Sequence, residues 1–265
     1  MPPLVLDKLR KTWPDLQLAV RVLGRKYAKK SGHLQMDEKL LSSSLLTSLT
    51  YDVIYQGYQA DRSASFEWAK LTRATSVGGC LRVLRIQIQA GGEEPESDSQ
   101  LALSQNLHLP ALEEFTLHGA YDYNFTDERS QMLVNSVDTS TLHTLNFGGG
   151  MPTAFFKAFT GRLSGLRTLR VEIRRNVNVE IIADFIKSVE GLELLDIDGP
   201  TSVIDGLWPA IVQHRATLKN LHLRQHIGIG RLQEVVNSFP SVEHLGWNVR
   251  YEVKDCTLVA INGIH

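Results

Sequence analysis

The chain has 265 residues, 43% of them hydrophobic and 22% charged, with a formal net charge of −1. This is ordinary globular composition, with enough length for a large core. Near-neutrality argues against a general nucleic-acid binder, which needs a basic surplus to meet phosphates, although a local basic patch stays open.

Two cysteines, Cys80 and Cys256, with no Cys-x-x-Cys pair, give no support to a cysteine zinc site, a redox motif or a disulfide-stapled scaffold. They predict buried free thiols in a reducing compartment, the cytoplasm or the nucleus. The N-terminus has no continuous apolar run behind a basic start, as a secretory signal would. No stretch approaches the roughly 20 apolar residues that span a bilayer, so no membrane role is expected.

In chain order, one hexamer pattern recurs: apolar-x-x-apolar-x-apolar. Two looser copies come first, WPDLQL from Trp13 and LTSLTY from Leu46. LRVLRI from Leu81, LEEFTL from Leu112, LHTLNF from Leu142 and LRTLRV from Leu166 follow. LELLDI from Leu192, LKNLHL from Leu218 and VEHLGW from Val242 complete the series. Successive starts lie 33, 35, 31, 30, 24, 26, 26 and 24 residues apart, which marks an internal repeat. Each copy ends in period-two alternation, the signature of a short half-buried strand.

Helical patterns fill the intervals. Ile181, Ile182, Phe185, Ile186 and Val189 fall on one face, as do Leu232, Val235, Val236 and Phe239, and Phe155, Phe156, Phe159 and Leu163. Upstream, Leu4, Leu6 and Leu9 look like the end of a preceding repeat's helix. Residues 25–30 form a short basic run, and residues 1–40 hold nine Lys/Arg against four Asp/Glu. That surplus reads first as a solvated surface and second as a docking patch for an acidic partner or nucleic acid. Residues 90–100, acidic and rich in Gly, Pro and Ser, read as a solvated loop.

One strand and one helix per repeat also describe doubly wound sheets and (β/α)8 barrels. Those folds bury both strand faces and show continuous Val/Ile/Leu runs. Here Arg, Thr, Asn, Asp and His stand between the apolar positions, so one strand face is wet. The prediction is an α/β solenoid of about nine irregular repeats over 1–265, with a parallel concave sheet facing solvent and helices on the convex side.

At these residues the chain resembles the leucine-rich repeats, from about Trp13 to Trp247. The uneven repeat lengths and the WPDLQL opening look most like the divergent repeats of fungal F-box/leucine-rich-repeat proteins. The resemblance implies a protein-interaction scaffold, with a protein substrate held on the repeats while an F-box docks the chain into a ubiquitin ligase. Two features depart from that pattern. The repeat's usual Asn or Cys at its ninth position is replaced by Gln89, Gly150, Arg174, Pro200 and His226, so the side-chain ladder at that bend does not carry over. No F-box precedes Trp13, which fits a truncated form or one without that module; a ubiquitin-ligase adaptor is expected only if an F-box lies upstream. Residues 249–265 show no obvious polar capping unit, and a solenoid end needs its core covered.

A solenoid stacks equivalent strand positions into columns about 4.8 Å apart. One column takes Thr50, Arg85, Thr116, Asn146, Arg170, Asp196, His222 and Gly246; the next takes Asp52, Gln87, His118, Gly148, Glu172, Asp198, Arg224 and Asn248. The candidate partner-binding surface is therefore Arg85, Gln87, Thr116, His118, Asn146, Arg170, Glu172, Asp196, Asp198, His222, Arg224 and Asn248. Its richest part, Arg170 to Arg224, also reads as a self-neutralising ladder of exposed pairs worth about 0–1 kcal/mol each.

Asp196 and Asp198 are spaced for acid–base work, but an open wet face does not favour it, and no catalytic residue is assigned. His222, His226 and His244 have no tight metal-ligand spacing, so no metal is assigned. Gly148-Gly149-Gly150 is followed by Met151-Pro152 rather than the Lys-Ser/Thr of a phosphate loop. Gly228-Ile229-Gly230 has Gln233 where a dinucleotide fingerprint has its third glycine. Both read as strand-to-helix corners, and no cofactor is called for. A nucleotide-using enzyme built on those corners, and a nucleic-acid-associated protein using the basic N-terminal segment, stand as the alternatives.

Overall fold

The computed structural model describes residues 3–27, 38–56, 79–91, 108–118, 126–148, 153–173, 177–226 and 229–248. Nine strands form one all-parallel sheet in strict chain order, from β1 to β9, and the sheet does not close. The strands are β1 (Leu18–Tyr27), β2 (Leu46–Gln56), β3 (Val83–Gly91), β4 (Glu114–His118) and β5 (Thr144–Gly148), then β6 (Thr168–Glu172), β7 (Leu194–Asp198), β8 (Asn220–His226) and β9 (His244–Asn248). The described helices are α1 (Pro3–Thr12), the one-turn α2 (Glu38–Leu41), α3 (Asp127–Ser136), α4 (Thr153–Phe159), α5 (Val179–Lys187), α6 (Thr201–Val212) and α7 (Ile229–Ser238). Parallel neighbours in chain order need crossover connections, and crossovers of one hand place the described connecting helices on the same side of the sheet. The other, concave side stays open. This is the α/β solenoid that the alternating motifs predict.

The motif leucines make the core. Leu112, Leu145, Leu166, Leu169, Leu192, Leu195, Leu218, Leu221 and Leu223 are completely buried. The helices supply the facing layer: Phe155, Phe156 and Phe159 from α4, and Ile182, Phe185 and Ile186 from α5. The Phe155 ring packs against Phe147 of β5 with centroids 4.5 Å apart, and Phe156 against Phe185 at 4.8 Å. Such tilted pairs add to the burial of large apolar rings. Helix α5 begins where the Asn178 carbonyl oxygen of the side chain accepts from the Glu180 N–H at 3.0 Å. The helix predicted from Leu4, Leu6 and Leu9 is α1, and Leu6 is its buried residue.

Four expectations shift. The first repeat is displaced: Leu18 pairs with Leu46, Val20 with Leu49 and Val22 with Tyr51, with a register irregularity after Leu18, so its strand motif is LAVRV from Leu18 rather than WPDLQL. Trp13 lies outside the core, 57% exposed. Val236 is 59% exposed, because α7 is the last described helix and nothing described packs beyond it, as α6 does over the equivalent Ile186 of α5. Cys80 is half-buried rather than buried. Ala90 and Gly91, expected in the acidic loop, are the end of β3. The rest of that loop and the C-terminal run 249–265 lie outside the described residues. Of the basic run, residues 25–27 end β1, and the remainder also lies outside them.

Sheet register is set at the leading edge, just before each strand. The carbonyl of the second motif residue accepts two N–H groups from the next repeat: Arg82 from Glu113 and Glu114 (2.7 and 2.9 Å), and Glu193 from Lys219 and Asn220 (2.9 and 3.0 Å). The Glu113, His143, Arg167 and Lys219 carbonyls do the same. Each thereby uses both lone pairs. One residue before the motif, Thr141 and Thr217 donate from Oγ1 to the Leu112 and Leu192 carbonyls at 2.9 and 2.8 Å. Gly191 takes that place in its own repeat; a Cβ there would collide with the Arg167 guanidinium, which donates to the Gly191 carbonyl at 3.0 Å. These bonds do at the leading edge what the missing ninth-position ladder would do at the far bend.

Candidate functional site

The registers confirm the first column across the sheet. Thr50 pairs with Arg85, Arg85 with Thr116, Thr116 with Asn146, Asn146 with Arg170, Arg170 with Asp196, Asp196 with His222, and His222 with Gly246. The corrected first repeat adds Arg21, paired with Thr50. The second column runs from Asp52 through Gln87, His118, Gly148 and Glu172 to Asp198. It does not continue as expected: after Leu223↔Trp247 the register shifts and Asn248 pairs with His226, not with Arg224. A bulge of this kind displaces every later residue by its extra length. Asn248 therefore leaves the Arg224 column, and its side chain lies outside the described residues.

Two candidates are covered. Thr116 is only 2% exposed. It lies under the bidentate pair that Arg85 makes with Glu114, Nε to Oε1 at 2.6 Å and Nη2 to Oε2 at 2.9 Å. That pair holds the Arg85 pKa above its ordinary value, through the hydrogen bond first. Asp196 is the other, with a side chain 6% exposed. Arg224 reaches diagonally across the strands to grip it, Nε to Oδ1 at 2.8 Å and Nη2 to Oδ2 at 2.7 Å.

The column geometry predicts Arg224 beside Asp198, and the diagonal has a physical reason. A buried carboxylate without a partner costs far more than a half-exposed one that water can solvate. The guanidinium therefore goes to Asp196. Its pKa is raised by that hydrogen bond, then by the Asp196 charge, with Asp198 contributing at longer range. His222 completes the group, Nδ1 lying 3.8 Å from Asp196 Oδ2. Asp196 is thus a structural anchor rather than a free acid–base group, and the ladder is not one of exposed pairs.

Beside this anchor lies a cavity of about 180 Å³ lined by His118, Asn146, Arg170, Val171, Glu172, Asp196, Asp198 and Arg224. His118 Nε2 and Asn146 Oδ1 are hydrogen-bonded at 2.7 Å. The His118 imidazole lies over Gly148, where any Cβ would strike it, so the glycine of the expected tight corner is also the floor on which His118 rests. Among the described residues the side chains of Arg170 and Asp198 make no hydrogen bond or ion pair. The cavity accommodates one or two side chains and is smaller than the roughly 300 Å³ at which small-molecule pockets begin.

Gly149, Gly150 and Gly228 lie outside the described residues, and Gly230 lies in the first turn of α7 rather than in the corner ahead of it. His244 pairs with Asn220, so it does not share a column with His222. Among the described residues no group of three or more metal-ligating side chains comes together, and no helix is long and apolar enough to cross a membrane.

Three polar groups are absent from the sequence reading. Arg21 bonds Asp52 Oδ2 through Nε at 2.7 Å. The misplaced first repeat concealed that pair. Glu114 holds Arg85 from the position ahead of the expected column. The third is a row on the leading edge, at the second motif position: Arg82, Glu113, His143, Arg167, Glu193, Lys219 and Glu243. Arg82 pairs with Glu113 and Lys219 with Glu193, both at 2.8 Å. The signs of the row are legible in the motifs, at a position one residue after each motif start rather than near the strand's end.

No protein-family profile matches the chain, and no curated protein matches it. What is defined is an open, parallel α/β solenoid with a polar concave face.

Proposed function

We propose that this chain is a protein-interaction scaffold, not an enzyme, and that a protein partner binds its concave face in the cytoplasm or nucleus. One observation carries the reading. On a face whose other charges are largely paired within the chain, the side chains of Arg170 and Asp198 line a side-chain-sized cavity without a hydrogen-bond or ion-pair partner among the described residues. Rigid strands hold both, so a partner meets them with little ordering cost. Arg170 offers five donors and Asp198 a carboxylate, which suits a partner presenting both charge signs or exposed backbone amides.

The test is affinity purification from the native source with the wild-type chain and with an R170E/D198K double variant. A partner held by the wild type and lost by the double variant, while K187E on α5 retains it, supports the reading. Equal recovery by all three sinks it.

The finer reading is the substrate-recognition part of an F-box-type ubiquitin-ligase receptor. It rests on the repeat resemblance alone. It predicts that the full-length gene product co-purifies with a ubiquitin-ligase adaptor; its consistent absence from that eluate counts against the finer reading and leaves the scaffold untouched.

A further inference from the structure

A second surface lies on the leading edge, away from the concave cavity. An open groove of about 530 Å³ runs there, lined by Arg167, Gly191, Glu193, Ala216, Thr217, Lys219, Pro240, Ser241, Val242 and Glu243. Four of these lie in the row of second motif positions, one per strand, and their signs alternate strictly: Arg167, Glu193, Lys219, Glu243. Beyond Arg167 the row meets His143 and the alternation stops. Adjacent strands set the charges about 4.8 Å apart.

The charges are only partly used within the chain. Lys219 Nζ contacts Glu193 Oε2 at 2.8 Å, with the side chains 51% and 43% exposed. That contact raises the Lys219 pKa and lowers that of Glu193. A lysine carries three donors and a carboxylate about four acceptor sites, so both have capacity left. Arg167 donates to the Gly191 carbonyl, and the Glu243 side chain makes no hydrogen bond or ion pair among the described residues.

An alternating row has a definite complement. Turned end for end about an axis between two neighbours, it always sets plus against minus. A two-fold axis between Glu193 and Lys219 brings Glu193 of each copy opposite Lys219 of the other, and Arg167 of each opposite Glu243 of the other. That is four unlike contacts. The row is neutral as a whole, so it favours neither an acidic nor a basic stranger, whereas it matches its own reversed copy. Two-fold interfaces are self-complementary in this way. Ala216, Pro240 and Val242 add apolar contact beside the charges. We propose that this edge is an interaction surface for a second copy of the chain, forming a weak, salt-sensitive homodimer that leaves both concave faces free.

Sedimentation across a concentration series, in low salt and in about 1 M salt where the Debye length shrinks to about 3 Å, reads the association directly. Wild-type protein dimerises in low salt and dissociates in high salt. K219E and E193K each set like charges against like across the axis, and each weakens the dimer by more than about tenfold. An equimolar mixture of the two variants restores the dimer, because every contact across the axis is again between unlike charges. Neither variant regains its own internal pair in that mixture, so recovery cannot come from repaired folding. A wild type that stays monomeric at every concentration overturns the proposal. So do variants that dimerise like the wild type, or a mixture that stays monomeric while both variants show native circular dichroism.

Discussion

Replacing Asp196 by Asn keeps the shape of the side chain and removes its charge. One carboxylate oxygen becomes an NH2 group facing the Arg224 Nη2 donor, which in the native chain bonds Oδ2 at 2.7 Å. The second bond, Nε to Oδ1 at 2.8 Å, survives only as a hydrogen bond to a neutral acceptor. Hydrogen bonds to charged groups contribute about 1.5–3 kcal/mol each. The Arg224 side chain is 57% exposed, so water takes over much of its share, and about 2 kcal/mol in total is the reasoned loss. Urea unfolding followed by circular dichroism measures it, and thermal unfolding should show the midpoint falling by about 4–8 °C.

Removing the partner instead, with Arg224→Gln, leaves a buried carboxylate to find solvent and costs a comparable amount. The double variant should lose much less than the sum, giving a coupling energy of about 1–2 kcal/mol. Additive losses, with coupling below about 0.5 kcal/mol, would refute the claim that Asp196 is anchored by Arg224 rather than by its surroundings.

Three further outcomes follow from the same structure. Burial lowers the pKa of His214 below its ordinary 6.5, outweighing the hydrogen bond at 2.9 Å to the Ile186 carbonyl, which raises it. The neutral ring therefore stabilises the fold fully above about pH 6.5 and loses that contribution as pH falls from there toward the depressed folded value. Unfolding midpoints between pH 8 and pH 5 should drop for the wild type and flatten for His214→Gln; parallel curves would contradict this. Gly148→Ala should drive the His118 ring off Gly148 and break its bond to Asn146, costing about 1 kcal/mol. NMR shifts of the His118 ring protons check it, and an unmoved ring would count against the geometry. Glu234 Oε1 accepts from the Trp208 indole N–H at 2.6 Å, and Oε2 accepts from Arg231, which also lies over the Trp208 ring. Glu234→Ala should cost about 1 kcal/mol and change Trp208 emission as the indole loses its acceptor; unchanged stability and emission would show that the clamp is idle.

The repeat pattern was readable because burial and strand period act on the same residues. From Leu46 onward each motif leucine points into the core, and a one-residue slip would turn it to solvent. Near the N-terminus that constraint loosens. WPDLQL satisfies the pattern by composition, but Trp13 forms no part of the core, and pairing with β2 selects LAVRV instead. Val236 failed for a related reason: amphipathic spacing tells which face a residue occupies, but not whether a further helix covers that face. The site was legible as columns and not as contacts. Sequence order places Arg224 beside Asp198, whereas the cost of leaving Asp196 buried and unpaired sends it to the diagonal neighbour. The shift after Leu223 that removes Asn248 leaves no trace in the spacing. His118 over Gly148 joins positions in adjacent repeats whose significance appears only when one of them lacks a side chain.

The paired bonds at the leading edge bear on how such a chain can change over time. From β4 to β9 each repeat takes its alignment from two N–H groups docking on one carbonyl of the repeat before it. Alignment is thus renewed at every turn, and an error introduced in one connection is not passed to the next. A connection can then lengthen or shorten while the columns on the open face keep their order. The unequal intervals between motifs from Leu81 onward, 24 residues in some repeats and 31 in another, are what that tolerance permits. The concave face and the connecting segments can be varied separately, because the bonds that align one lie outside the other.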